Sequence, residues 1–160
     1  MHEFIPAKLF LLPNRSKIVG GIFLLIGIVL AIVRFYFGIK PEFLHITVFS
    51  IYSKFLGTKF LSLIANNIFE EIVLLLILLV LFMVAFSKEK DEDEQVKMIR
   101  LSSMYLSVFI NTLGLALSFF FIFGLAFAEV MVLNLFSVLI IYLIIFRFKY
   151  YLFQKKGSTF

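Results

Sequence analysis

Two sets of ionisable residues in this sequence have types and spacings that could do chemistry. The first is NNIFEE, Asn66 to Glu71, in which Asn66 with Glu70 and Asn67 with Glu71 are i, i+4 pairs. A helix starting there would hold two adjacent carboxylates against its positive N-terminal end. Arg34 and Glu129 stand at the ends of two other apolar runs. One arginine and three carboxylates could therefore meet in one plane, as a structural ion pair first and as a proton or cation site second. The candidate polar cluster is Arg34, Asn66, Asn67, Glu70, Glu71 and Glu129.

The second set is SKEKDEDEQVKMIR, residues 87–100, where four basic residues face five acidic ones. So even a balance argues against a polybasic lipid patch. Lys88 with Glu92, Lys90 with Glu94 and Asp93 with Lys97 are i, i+4 pairs suited to exposed helix ends. The stretch lacks the D-x-[DN]-x-[DN]-G turn of a calcium loop. It reads as a solvated hairpin, with docking of a cytoplasmic partner as its functional alternative.

A third pattern is uncharged. Ser103, Ser107, Asn111, Gly114 and Ser118 recur at steps of three or four, with Asn134 and Ser137 offering a facing surface. Small residues let helix backbones approach, and Asn can bridge helices by hydrogen bonds, so this is a helix-packing seam. Gly20 and Gly27, one heptad apart, predict another close approach. The run 72–86 has no polar residue and suits a lipid-facing helix.

Other chemistry is thinly represented. The chain has no Cys, which removes disulfides, thiolate nucleophiles and Cys-ligated zinc. His45 follows Glu42 in an E-x-x-H spacing, but a di-iron bundle needs a second such motif and two further Glu. With no nucleophile–base pair, phosphate loop or metal set, the sequence nominates no catalytic, cofactor-binding or metal-binding residue, and no enzyme activity is expected.

The elements that must position these residues follow from composition. Apolar residues make up 62% of 160, against about 45–50% in soluble domains, and mean hydropathy is +1.10. A spanning helix needs about 20 apolar residues. Segments 18–37, 68–86, 101–123 and 130–146 meet or approach that length, which predicts an all-α, integral-membrane, four-helix antiparallel bundle in a single domain. Basic residues precede the first segment, but no A-x-A-like cleavage site follows, so it is read as a retained span rather than a signal peptide. The Asn14-Arg15-Ser16 sequon falls on the inner side and carries no weight.

Lys and Arg resist translocation, so their distribution sets orientation. With the N-terminus inside, eleven basic residues, Lys8 among them, fall in inner segments and four in outer ones. Both termini and the hairpin 87–100 are thus expected in the cytoplasm. The basic excess brackets apolar runs, and no nucleic-acid partner is expected. Connector 38–67 is too long for a tight turn and too apolar for a free loop. Thr47, Ser50, Lys54, Thr58 and Ser62 recur at helical steps, so an amphipathic helix at the outer interface is favoured. A short strand in ITVFSIY, before Gly57, is the competing reading.

With NNIFEE and FSKEKDEDEQVKMIRL at the two ends of the second span, the chain resembles a family of small four-span bacterial membrane proteins of uncharacterised role. The likeness runs from about residue 41 to 150 through IYSKFLGTKF, the acidic FSKEKxEDE-type hairpin and Asn111. It implies a multi-pass protein of the bacterial plasma (inner) membrane and nothing catalytic. The expected function is a non-enzymatic accessory or signalling subunit of a membrane complex, in contact with lipids and with a second copy or a membrane-protein partner. The alternative is a small homodimeric transporter or channel using outer-leaflet carboxylates.

Overall fold

A computed structural model describes residues 11–53, 59–90 and 92–157. Lys8 of the inner positive charge, Lys54, Gly57 and Thr58 of the connector, and Asp91 of the hairpin lie outside the described residues. The chain is mostly helical, with α1 (Arg15–Ala31), α2 (Phe69–Ala85), α3 (Glu94–Phe121) and α4 (Leu125–Gly157). An antiparallel pair, β1 (His45–Ser53) and β2 (Lys59–Asn67), lies between α1 and α2. Among the described residues three helical stretches are long and apolar enough to cross a membrane: Arg15–Tyr36, Glu94–Phe121 and Leu125–Lys155. Helix α2 is apolar from Ile72 onward but has only 17 residues, about 25 Å at 1.5 Å per residue.

The chain divides into two compact units. One comprises the described residues up to Gly21 together with those from Leu78 onward; the other is Ile22–Ile77.

In the first unit, the segment before α1 is tied in by backbone hydrogen bonds. Leu12 N–H donates to the Phe86 carbonyl (2.8 Å), and Lys88 N–H donates to the Leu12 carbonyl (2.9 Å). Gly20 has a specific use here, because a Cβ on it would lie 2.8 Å from a Val84 methyl. Helices α3 and α4 form an antiparallel hairpin whose turn is closed by Gly124 at φ +70°, a conformation that favours glycine. The unit's buried apolar residues include Val80, Leu81, Ala85, Val96, Tyr142 and Phe146.

In the second unit, α1 continues into a π-helical turn, Ile32–Tyr36, centred on Arg34. Widening of the helix is visible in Phe37 N–H donating to the Ile32 carbonyl (3.3 Å) and Ile39 N–H to the Val33 carbonyl (3.3 Å). A short 3-10 turn, Glu42–Leu44, then feeds β1. Strand pairing sets Val48 opposite Ile64 and Ser50 opposite Ser62. Gly27 meets α2, where a Cβ would lie 3.0 Å from the Ile77 side chain.

One expectation is corrected and another refined. The connector is a β-hairpin, so the fold is mostly helical with a small sheet rather than all-α. The β-branched and aromatic residues of HITVFSIYS prevail over the helical spacing of its hydroxyls. Helix α2 has two faces: Phe69, Val73, Val80, Leu81 and Ala85 are buried, while Ile72, Leu75, Leu79 and Phe82 are exposed, as a lipid-facing helix requires. A helix apolar all round suits a protein interior as well as lipid, and the two glycines of α1 let it pack closely.

Candidate functional site

Arg34 is positioned by the π turn and Glu70 by the first turn of α2, and the two form an ion pair. Lys40 adds a second cation 3.2 Å from the same carboxylate oxygen. The Arg34 side chain is 14% exposed, and its Nε is buried with no hydrogen-bond partner among the described residues. Asn66 donates to Glu71 (3.1 Å), five residues on rather than four. Asn67 does not pair with Glu71; its Oδ1 accepts from Phe69 N–H (3.1 Å) and caps α2, while its Nδ2 donates to the Pro41 carbonyl (2.8 Å). The expected pairs Asn66–Glu70 and Asn67–Glu71 are thus replaced, because the residues before Phe69 are strand and only those from Phe69 onward are helix. Glu129 belongs to the other unit, where it is exposed on α4 with no hydrogen bond or ion pair among the described residues.

Stretch 87–100 departs furthest from expectation. Helix α3 begins at Glu94, with Asp93 as N-cap accepting from Val96 N–H (2.7 Å). The i, i+4 ion pairs are therefore not formed among the described residues, and the acids are drawn elsewhere. Glu89 is 8% exposed; it pairs with Lys17 and lies 3.6 Å from Arg147. Glu92 accepts a two-pronged contact from Arg100, Nε at 3.2 Å and Nη2 at 3.0 Å. Its Oε2 also accepts from Glu89 N–H at 2.8 Å.

Arg100 itself is 5% exposed, and every one of its five N–H donors has an acceptor within this unit. Beyond Glu92, Nη1 reaches the Ala85 carbonyl (2.9 Å) and the Tyr142 hydroxyl (2.9 Å), and Nη2 reaches the Ser87 carbonyl (3.2 Å). Its guanidinium stacks over the Phe146 ring, 4.6 Å from the centroid. Carbonyls at a helix C-terminus lack intrahelical partners and carry partial negative charge, so Arg100 completes the end of α2. Glu89, Glu92 and Arg100 thus form an enclosed charge network, while Lys88, Lys90, Asp93 and Glu94 stay exposed as in a solvated hairpin. The acceptors of Arg100 lie 8 to 42 residues away in sequence, and the local signal was limited to an arginine set at the mouth of an apolar run.

The seam divides by direction. Ser103, Ser107 and Ser118 are buried, and each hydroxyl donates to a carbonyl of its own helix at 2.7, 2.8 and 2.7 Å. They serve as small, self-satisfied fillers. Asn111 is hydrogen-bonded with the Ser137 hydroxyl, which also contacts the Asn134 carbonyl at 3.1 Å. Asn111, Gly114, Leu115, Val130, Asn134 and Ser137 border a lateral groove of about 300 Å³ between α3 and α4. Among the described residues no group of three or more His, Asp or Glu converges as a metal site.

No protein-family model, curated protein or solved structure matches this chain.

Proposed function

We propose that this chain is a non-enzymatic, multi-pass protein of the bacterial plasma membrane that serves as an accessory or signalling subunit of a membrane complex. The observation that carries this reading is the commitment of its inward charges to bracing. Arg100 and Glu92 satisfy each other and the end of α2, and Glu89 is held by Lys17 and Arg147. Such groups fix one conformation and leave the outward surfaces for contacts. Helix α2 is the fourth span of an antiparallel bundle, its short length extended by the capped turn before Phe69 and by Phe86. The excess of basic residues in the inner segments supports cytoplasmic termini and a cytoplasmic 87–100 stretch. The family likeness drawn from NNIFEE and the acidic hairpin agrees with this topology.

Crosslinking in native membranes tests the reading. A second membrane protein joined to this chain in reproducible proportion is the expected result; a chain that crosslinks to nothing and purifies as a monodisperse monomer would sink it. One observation favours a second reading, the homodimeric transporter: Arg34 keeps an unpaired Nε beside Glu70. Liposome flux that falls in Glu70→Gln and Glu71→Gln would support that reading, whereas flux unchanged by both removes its motive.

A further inference from the structure

We infer that the lateral groove between α3 and α4 is the docking face for a second copy of this chain, centred on Asn134. The inference rests on the membrane reading above, and three observations within this unit carry it. The first is hydrogen-bond demand. The Asn134 carboxamide has no partner among the described residues, and Asn111 uses only one end of its own in the contact with Ser137. Asn134 is the tenth residue of α4, about 14 Å along the helix, so these groups lie within the apolar part of a span. A carboxamide facing hydrocarbon forfeits its hydrogen bonds, which no lipid tail can replace.

The second observation is the unused space at Gly114. Glycine weakens a helix interior relative to alanine. Gly20 and Gly27 are accounted for by Val84 and Ile77, yet a Cβ on Gly114 would meet nothing within 4 Å. None of the described residues makes use of that opening. The third is the shape, an open groove with Ile110 42% and Leu133 64% exposed beside the polar groups.

The occupant follows from chemistry. A lipid acyl chain fills the groove but offers neither donor nor acceptor. A carboxamide carries one of each in the same plane and is its own complement. A second copy related by a two-fold axis along the membrane normal brings Asn134 to Asn134 at equal depth by symmetry. A foreign helix needs an amide placed at that depth independently. Small residues at the contact and Asn as the bridging group are the ordinary means of helix association in lipid.

Because the chain has no Cys, single cysteines report without background. The test uses the full chain in its native membrane, with Gly114→Cys and, as a control, Leu113→Cys, which is 53% exposed but does not line the groove. A short bismaleimide is expected to yield a species of twice 18.6 kDa from Gly114→Cys and little from Leu113→Cys. Adding Asn134→Leu is expected to lower that yield about three- to tenfold. Gly114→Cys introduces its side chain into open space, so its own folding is not at issue. No dimer from Gly114→Cys, equal dimer from both positions, an adduct of a different mass, or a yield indifferent to Asn134→Leu would each overturn the inference. Carbonate washing separates the two failures: a chain washed off the membrane defeats the membrane reading, while a chain retained but uncrosslinked defeats only the groove.

Discussion

Replacing Arg100 with Leu would remove all five donors of the guanidinium and leave Glu92, two backbone carbonyls and the Tyr142 hydroxyl without them. Arg100 and Glu92 are only 6% and 9% exposed at their side chains, so an uncompensated carboxylate would remain buried. The expected cost is about 3–5 kcal/mol, read as a fall in the unfolding midpoint of the protein in lipid nanodiscs. Arg100→Lys is expected to recover little, since an ammonium cannot reproduce the two-pronged contact with Glu92. Ser103→Ala, by contrast, should stay within about 1 kcal/mol of wild type, because that hydroxyl bonds only the Ile99 carbonyl of its own helix. A large loss at Ser103 or a neutral Arg100→Leu would show that the network is misassigned. At this scale the sequence was partly legible. Residue types set Arg34 beside Glu70, Glu71 and Glu129 because each interrupts or opens an apolar run, without choosing Glu70 among the three. They did not mark Arg100, whose acceptors at Ala85, Ser87 and Tyr142 are brought together by tertiary packing.

Among the elements, the β-hairpin has the most to test. An isolated two-stranded hairpin is marginal in water and needs an apolar surface to rest on. One face of this hairpin shows Phe49, Ile51 and Leu63 at 63%, 71% and 70% exposure. Its second strand runs into α2 through Asn67, whose side chain caps that helix. Those side chains are expected to sit in the outer membrane interface. The chain has no Trp, so Phe49→Trp introduces a single tryptophan that can be excited selectively over the tyrosines. Its emission should be blue-shifted in vesicles and quenched most by labels near the glycerol level; water-like emission without quenching would contradict this placement. The helical reading of this stretch failed for a physical reason. Strand alternation is clearest when one face is wet, and here Val48 and Ile64 on one face and Phe49 and Leu63 on the other are all apolar. Period 2 is thereby blurred, while Thr47 and Ser50 happen to keep helical spacing. The long helices were legible because hydropathy and length are local properties.

For the whole molecule, orientation and assembly remain to be measured. A membrane-impermeant thiol reagent applied outside intact cells is expected to label Glu42→Cys and to reach Lys90→Cys only after permeabilisation. The reverse pattern would overturn the positive-inside reading. What the sequence could not convey at this scale is the use made of its charges. SKEKDEDEQVKMIR has the composition of a wet loop, and the enclosure of its Glu89, Glu92 and Arg100 comes from Lys17, Tyr142 and Arg147, which approach them only in the folded chain. The central claim, that this is a subunit rather than a self-sufficient enzyme or transporter, is tested most directly by its native mass. The protein would be extracted from its own membrane in polymer-bounded discs and weighed intact. The account predicts an assembly holding this chain and a different membrane protein in fixed proportion. Particles containing only the 18.6-kDa chain, as single copies or homodimers, would contradict it.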